Sequence, residues 1–243
     1  MRPRISLLAV LLLAILSFAG CSMLTGVWEG DLVIETADDI SMASGITDVT
    51  GNVRIDGTAL TNLTGLESLR VVDGDVAIGG DAGNAVLSSL EGLSGLEFIG
   101  GYLLVRRNSA LSSLSGLSAL ETMTDSFTIS ENSLLTTIGP LSSLRRVGFF
   151  MTIENNQSLV DVNGLESLVD IEFTLNIDSN IVLTSLQGFS GLRAAGRLFV
   201  RDNVALSTCA AEALRDQLLA VNGMSRYDGL VDINGNLDTG PCN

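Results

Sequence analysis

Histidine and lysine are both absent from this 243-residue chain, so its 13 basic side chains are all arginines. Within the chain, that excludes a Ser-His-Asp triad, a Cys-His pair, a histidine metal site and a lysine Schiff base. The basic groups are outnumbered by 28 acidic ones, for a net charge of -15. A surface of that sign does not neutralise phosphates, so nucleic acid is not an expected partner. Cysteine occurs only three times, and no two cysteines have the close CxxC spacing of a redox pair. The uncharged run from Ile5 to Phe18 has 14 residues, short of the roughly 20 that span a bilayer as a helix. Arg2 and Arg4 precede it and small residues follow, which is the form of an export signal.

What the chain does have is a repeat. Val105, Ile129, Ile153 and Ile177 are each 24 residues apart. Each is followed three positions later by an asparagine (Asn108, Asn132, Asn156, Asn180) and three after that by a leucine (Leu111, Leu135, Leu159, Leu183). Ile55 and Ile78 extend the register upstream, with a Gly/Asp/Asn-rich insertion from Gly79 to Ala85. Val200, Asn203 and Leu206 extend it downstream. A fixed period of this length predicts a solenoid of stacked coils. After each leucine, apolar residues recur every third position, as in Leu111, Leu114, Leu117, Leu120 and Met123. That is too tight for an amphipathic helix, and the intervening Ser, Thr and Gly are poor helix formers. Each coil is expected to be a short strand, a polar turn and an extended or irregular return path.

Stacking would align Asn108, Asn132, Asn156, Asn180 and Asn203 into a structural ladder. Their amides would satisfy the backbone groups freed by the turn, and asparagine also tolerates left-handed geometry. Outward-facing positions beside the anchors form a second column of Asp56, Gly79, Arg106, Ser130, Glu154, Asp178 and Arg201. Glu154 and Asp178 would lie on adjacent coils about 4.8 Å apart, a spacing that suggests a two-carboxylate enzyme. The flanking arginines favour a solvated mixed-charge face, and no catalytic residue is assigned. Asp73-Gly-Asp75 and Gly80-Asp81-Ala-Gly-Asn84 are oxygen-rich turns without EF-hand spacing, so no metal or cofactor is assigned either. Phe199, Leu104, Phe149 and Phe150 are candidates for an exposed binding patch, with one of Phe149 and Phe150 expected in the core.

The unit x-Ile-x-x-Asn-x-x-Leu-x-x-Leu-x-Gly-Leu-x-x-Leu-x-x-Ile resembles the receptor L-domain. That family is a leucine-rich, single-stranded right-handed β-helix found in receptor-kinase ectodomains, with related units in bacterial surface lipoproteins. Trp28-Glu29-Gly30-Asp31 is similar to the opening pattern of the bacterial relatives. The resemblance covers residues 28–243 and implies a mainly β fold of LRR-like, roughly 24-residue coils. It carries no binding residue over, because the receptors bind through residues outside the repeat.

Ala19-Gly20-Cys21 resembles a bacterial lipobox, with Phe18 where leucine is usual. The resemblance implies a signal peptide over 1–20, acylation at Cys21, a tether over 21–27 and attachment to the membrane through the lipid. Ser22 in place of an acidic residue implies the outer membrane. Cys209 and Cys242 then remain as a disulfide pair in an oxidising compartment. A helix over Ala210 to Val221, with Thr208 as N-cap and Leu214, Leu218 and Val221 on one face, is expected to form a cap over 207–243. Thr36-Ala-Asp-Asp39 has the form of a capping box that would start a short helix over Ala37 to Ala43 at the other end. The expected function is non-enzymatic binding of a protein or glycan partner in the cell envelope. A structural spacer is the alternative, with a carboxylate enzyme acting on polysaccharide behind it.

Overall fold

A computed structural model describes residues 26–139, 141–221, 224, 229–238 and 240–242. Cys21, the expected signal peptide and most of the expected tether lie outside the described residues. Two columns of parallel strands run the length of the molecule. The first column consists of two-residue strands: β1 (Val27–Trp28), β3 (Asp48–Val49), β5 (Val71–Val72), β7 (Phe98–Ile99), β9 (Thr122–Met123) and β11 (Arg146–Val147). The second holds β2 (Leu32–Ile34), β4 (Val53–Ile55), β6 (Val76–Gly79), β8 (Leu103–Arg106), β10 (Phe127–Ser130) and β12 (Phe150–Glu154). They merge in β13 (Asp170–Asp178), which pairs with β11 at one end and β12 at the other, and continue through β14 (Ala194–Arg201) to β15 (Val231–Asn234). The result is one all-parallel, mainly β sheet of 15 strands. It begins at Val27, inside the segment expected as tether.

The long strands form because apolar residues alternate with polar or small ones, and alternate side chains in a strand point to opposite faces. Leu103 and Val105, Phe127 and Ile129, and Met151 and Ile153 all face inward with no solvent exposure. Val105, Ile129, Ile153 and Ile177 are successive register partners. The every-third-residue leucines are buried too, but the return path is less irregular than the sequence implied. Leu93, Leu117 and Leu168 each donate a backbone hydrogen bond three residues back, to Leu90, Leu114 and Leu165. Short 3-10 helices form at η1 (Glu91–Leu93), η2 (Ser115–Leu117) and η3 (Gln187–Gly191). A 3-10 turn has three residues per turn, so a spacing of three keeps every leucine on the inner side. The glycine of the Gly-Leu pair is needed because coils touch there: a Cβ on Gly116 would lie 1.5 Å from the Leu90 carbonyl oxygen.

The α-helices are α1 (Ala37–Ala43) and α2 (Thr208–Ala220). Thr36 and Asp39 form a reciprocal capping box on α1, which buries Ile40 and Ala43. The N-cap of α2 is Ser207, not Thr208: its side chain accepts from the Cys209 N–H, and the helix starts at Thr208, two residues before the expected Ala210. The buried face of α2 carries Ala211, Leu214 and Leu218, whereas Val221 is exposed because it lies beyond the last turn. Gln217 of α2 donates to the carbonyls of Phe189 and Leu192 at 2.9 and 2.8 Å.

Candidate functional site

The repeat asparagines are buried in a continuous stack. The backbone N–H and the side-chain amide of Asn132 both donate to Oδ1 of Asn156, at 3.1 and 3.2 Å. Asn156 repeats this onto Asn180, and Asn180 onto Asn203. Each amide also reaches back one coil, as Asn132 Nδ2 does to the Val105 carbonyl at 2.9 Å. Asn108, Asn132, Asn156, Asn180 and Asn203 have no solvent exposure. Two further members extend the stack, Asn236 at the same offset of three after Ile233 and Asn84 off that offset. Asn84 is also fully buried and donates to Asn108 Oδ1 at 2.9 Å, while Asn236 accepts from the Asn203 N–H at 3.2 Å. Asn84 was hidden because the insertion after Ile78 places Asp81 three residues on, and the ladder asparagine follows later.

The left-handed residue of each turn is not the asparagine but the one before it. Arg107, Glu131, Asn155, Ser179 and Asp202 have φ between 54° and 57°, and Gly83 and Gly235 fill the same place before Asn84 and Asn236. The inward-pointing amide needs the chain to bend just ahead of it, so this one position carries the positive φ.

The expected outward column is only partly outward. Ser130 and Gly79 are buried, because the bend begins at the strand end and folds those positions under the next turn. Asp56 is paired with Arg54 at 2.5 Å. Glu131 bridges Arg106 and Arg107 at 2.6 and 2.8 Å, and these bonds hold its carboxyl below the usual range. Glu154 and Asp178 are register partners. Asp178 is engaged by Arg201 at 3.0 Å and by the Ser179 hydroxyl at 2.7 Å. Burial, followed by repulsion from Asp178, raises the proton affinity of Glu154. Of the oxygen-rich turns, Asn84 is engaged in the ladder, and Asp75 Oδ1 accepts from the Tyr102 N–H. Among the described residues, no three or more Asp, Glu, His or Cys side chains come together to hold a metal ion.

Aromatic side chains gather at the junction of the two strand columns. The ring centroid of Phe149 lies 4.2 Å from that of Phe150 and 5.3 Å from that of Phe173, and Phe150 and Phe173 are 5.1 Å apart. Neither Phe149 nor Phe150 is core: Phe149 is 41% exposed, and Met151 takes the inward position beside it. Phe173 was not singled out in the sequence. It lies at the register irregularity between Ile171 and Thr174, where β13 bulges against β14 and turns the ring outward. The Arg197 guanidinium sits 4.8 Å from the Phe173 ring, and Arg146 pairs with Glu172 at 2.7 Å beside it. Leu104 and Phe199 do not join this cluster; they lie half-buried on β8 and β14, with Arg201 over the Phe199 ring. Exposed Leu134, Ile181, Val182 and Val204 lie in the turns after the ladder.

Cys209 and Cys242 are disulfide-bonded, with Cα atoms 5.3 Å apart. Leu237 donates to the Leu206 carbonyl and accepts from Thr208, so the C-terminal segment runs alongside the start of α2. No protein-family model, curated protein or solved structure matches this chain.

Proposed function

We propose that this chain is a lipid-anchored envelope protein that binds a protein or glycan partner without catalysing a reaction. The fold is read as a right-handed single-stranded β-helix of the receptor L-domain type, with coils of about 24 residues. In this reading α1 and α2 cap its ends, and the 209–242 disulfide holds the C-terminal cap. Acylated Cys21 attaches the domain to the outer membrane through the short segment before Gly26.

The observation that supports a binding role is the Phe149–Phe150–Phe173 cluster. Three rings packed on one another, one pair stacked and two edge-to-face, and left partly in solvent are costly for a monomer, and aromatic residues beside arginine are the usual composition of a binding hot spot. A spacer has no need of such a patch. The competing enzymatic reading rests on Glu154 and Asp178. It is weakened because Asp178 is already held by Arg201 and Ser179, leaving Glu154 without a free second carboxylate.

Protease shaving of intact cells, with the Cys21→Ala variant beside the wild type, tests the anchored reading. The wild type should be cleaved on intact cells and the variant released in soluble form. Protection of the wild type until the outer membrane is broken would make the partner periplasmic.

A further inference from the structure

A groove of about 300 Å³ crosses the outer face of β2, β4 and β6, on different strands from the aromatic cluster. Val33, Arg54 and Ala77, successive register partners, line its floor, and Asp31, Asn52, Asp75 and Tyr102 its side. Leu32, Val53 and Val76 are register partners, so the residues before them, Asp31, Asn52 and Asp75, form a row at steps of about 4.8 Å.

The next strand fixes each member of the row. The Asn52 N–H and Nδ2 donate to Asp31 Oδ1 at 2.8 and 3.1 Å. Asn52 Oδ1 accepts from the Asp75 N–H at 2.8 Å, and Asp75 Oδ1 from the Tyr102 N–H at 3.0 Å. The second carboxylate oxygens of Asp31 and Asp75 have no hydrogen-bond or ion-pair partner among the described residues, and neither does the Tyr102 hydroxyl. Tyr102 is 39% exposed. The groove therefore offers two immobilised acceptors, a phenol ring and the small apolar side chains of Val33 and Ala77 on either side of Arg54.

These groups select a ligand class. Arg54, the cation at the groove, is tied to Asp56 at 2.5 Å, so the carboxylates of Asp31 and Asp75 set its charge. Uronates, sulfates and phosphates are repelled. A single metal ion needs oxygens at roughly 2.4 Å, whereas the two carboxylates start from backbones about 10 Å apart. A polyhydroxylated ring satisfies both surfaces, donating hydroxyls to carboxylates and resting its C–H face on an aromatic ring. We propose that this groove binds a neutral saccharide, with hydroxyls on Asp31 and Asp75 and one ring face on Tyr102. The site is separate from the aromatic cluster and does not depend on a partner there.

The chain carries its own reporter. Trp28 is its only tryptophan and donates from Nε1 to the Asp31 carbonyl at 3.1 Å. Trp28 emission of the soluble Cys21→Ala protein would be titrated with maltotetraose, cellotetraose and the N-acetylglucosamine tetramer, with trigalacturonic acid as the anionic control. At least one neutral probe should give a saturable change below about 10 mM. Asp75→Asn, which keeps the Oδ1 acceptor for Tyr102, and Tyr102→Ala should each weaken that binding about five-fold or more. Phe149→Ser should leave it unchanged. The proposal is overturned if no neutral probe changes the emission, if binding survives both groove substitutions, if trigalacturonic acid binds equally well, or if Phe149→Ser abolishes the signal.

Discussion

Asn132 donates both its backbone N–H and its side-chain amide to one oxygen, Oδ1 of Asn156, in the next coil. Asn156 in turn donates to the carbonyls of Ile129 and Glu154 at 2.9 and 3.0 Å. With Oδ1 of Asn180 as a third acceptor, at 3.3 Å, one buried side chain serves two donors and three acceptors, each of which loses a hydrogen bond when it is truncated. Asn156→Ala should lower unfolding free energy by about 4 kcal/mol, because each buried group left unsatisfied costs roughly 1–3 kcal/mol. Urea unfolding measures this, with exposed Gln157→Ala as the control. A loss below about 1 kcal/mol would mean that water replaces the amide.

The positive φ before each ladder asparagine makes an independent prediction. Asp202 has φ 54°, is solvent-exposed and has no side-chain bond among the described residues. Asp202→Gly should therefore be neutral or stabilising by up to about 1 kcal/mol, and Asp202→Val destabilising by about 1–2 kcal/mol. Thermal melting of the two variants checks the order, and the reverse order would contradict it.

Glu154 has its proton affinity raised by burial and by Asp178. Between its unfolded and folded pKa values the native state binds more proton than the unfolded one, so stability falls as pH rises through that window. At neutral pH the ionised Glu154 thus works against folding. Glu154→Gln should be more stable than the wild type at pH 7, and the gain should vanish below the ordinary glutamate range. Glu131, whose pKa is lowered by Arg107 and Arg106, has the opposite sign. Its contribution is present at neutral pH and lost on acidification, so Glu131→Gln should be less stable at pH 7 and the difference should shrink in acid. Denaturation across pH 3 to 8 separates the two signs.

The Cys209–Cys242 bond closes a 33-residue separation. Cys242→Ser should cost about 4 kcal/mol in the chain-entropy model. The loss should be local: amide exchange should rise in α2 and β15 while the ladder around Asn132 stays protected. Uniform loss of protection along the sheet would mean that the cap nucleates the whole fold.

The parallel architecture was legible because stacked coils impose one register, and Val105, Ile129, Ile153 and Ile177 display it directly. The first strand column was not, since pairs such as Phe98–Ile99 are too short to show a period of two. The 3-10 return turns are present in the sequence as a leucine spacing of three, which by itself predicts only an extended or irregular return path. Asn84 escaped because an insertion moved it off the fixed offset, and Phe173 because its outward direction comes from a bulge between neighbouring strands. The Asp31–Asn52–Asp75–Tyr102 row was invisible for a related reason: its members sit before strand starts and meet only through register.

The central claim is that the Phe149–Phe150–Phe173 cluster meets a partner in the envelope. The most direct test places the photo-crosslinking residue p-benzoylphenylalanine at Phe149 in the full-length protein in its native cells, with the same residue at exposed Leu134 as control. The account predicts a discrete adduct on irradiation at position 149 and none at 134. Adducts at 134 alone, or at neither position, would contradict it.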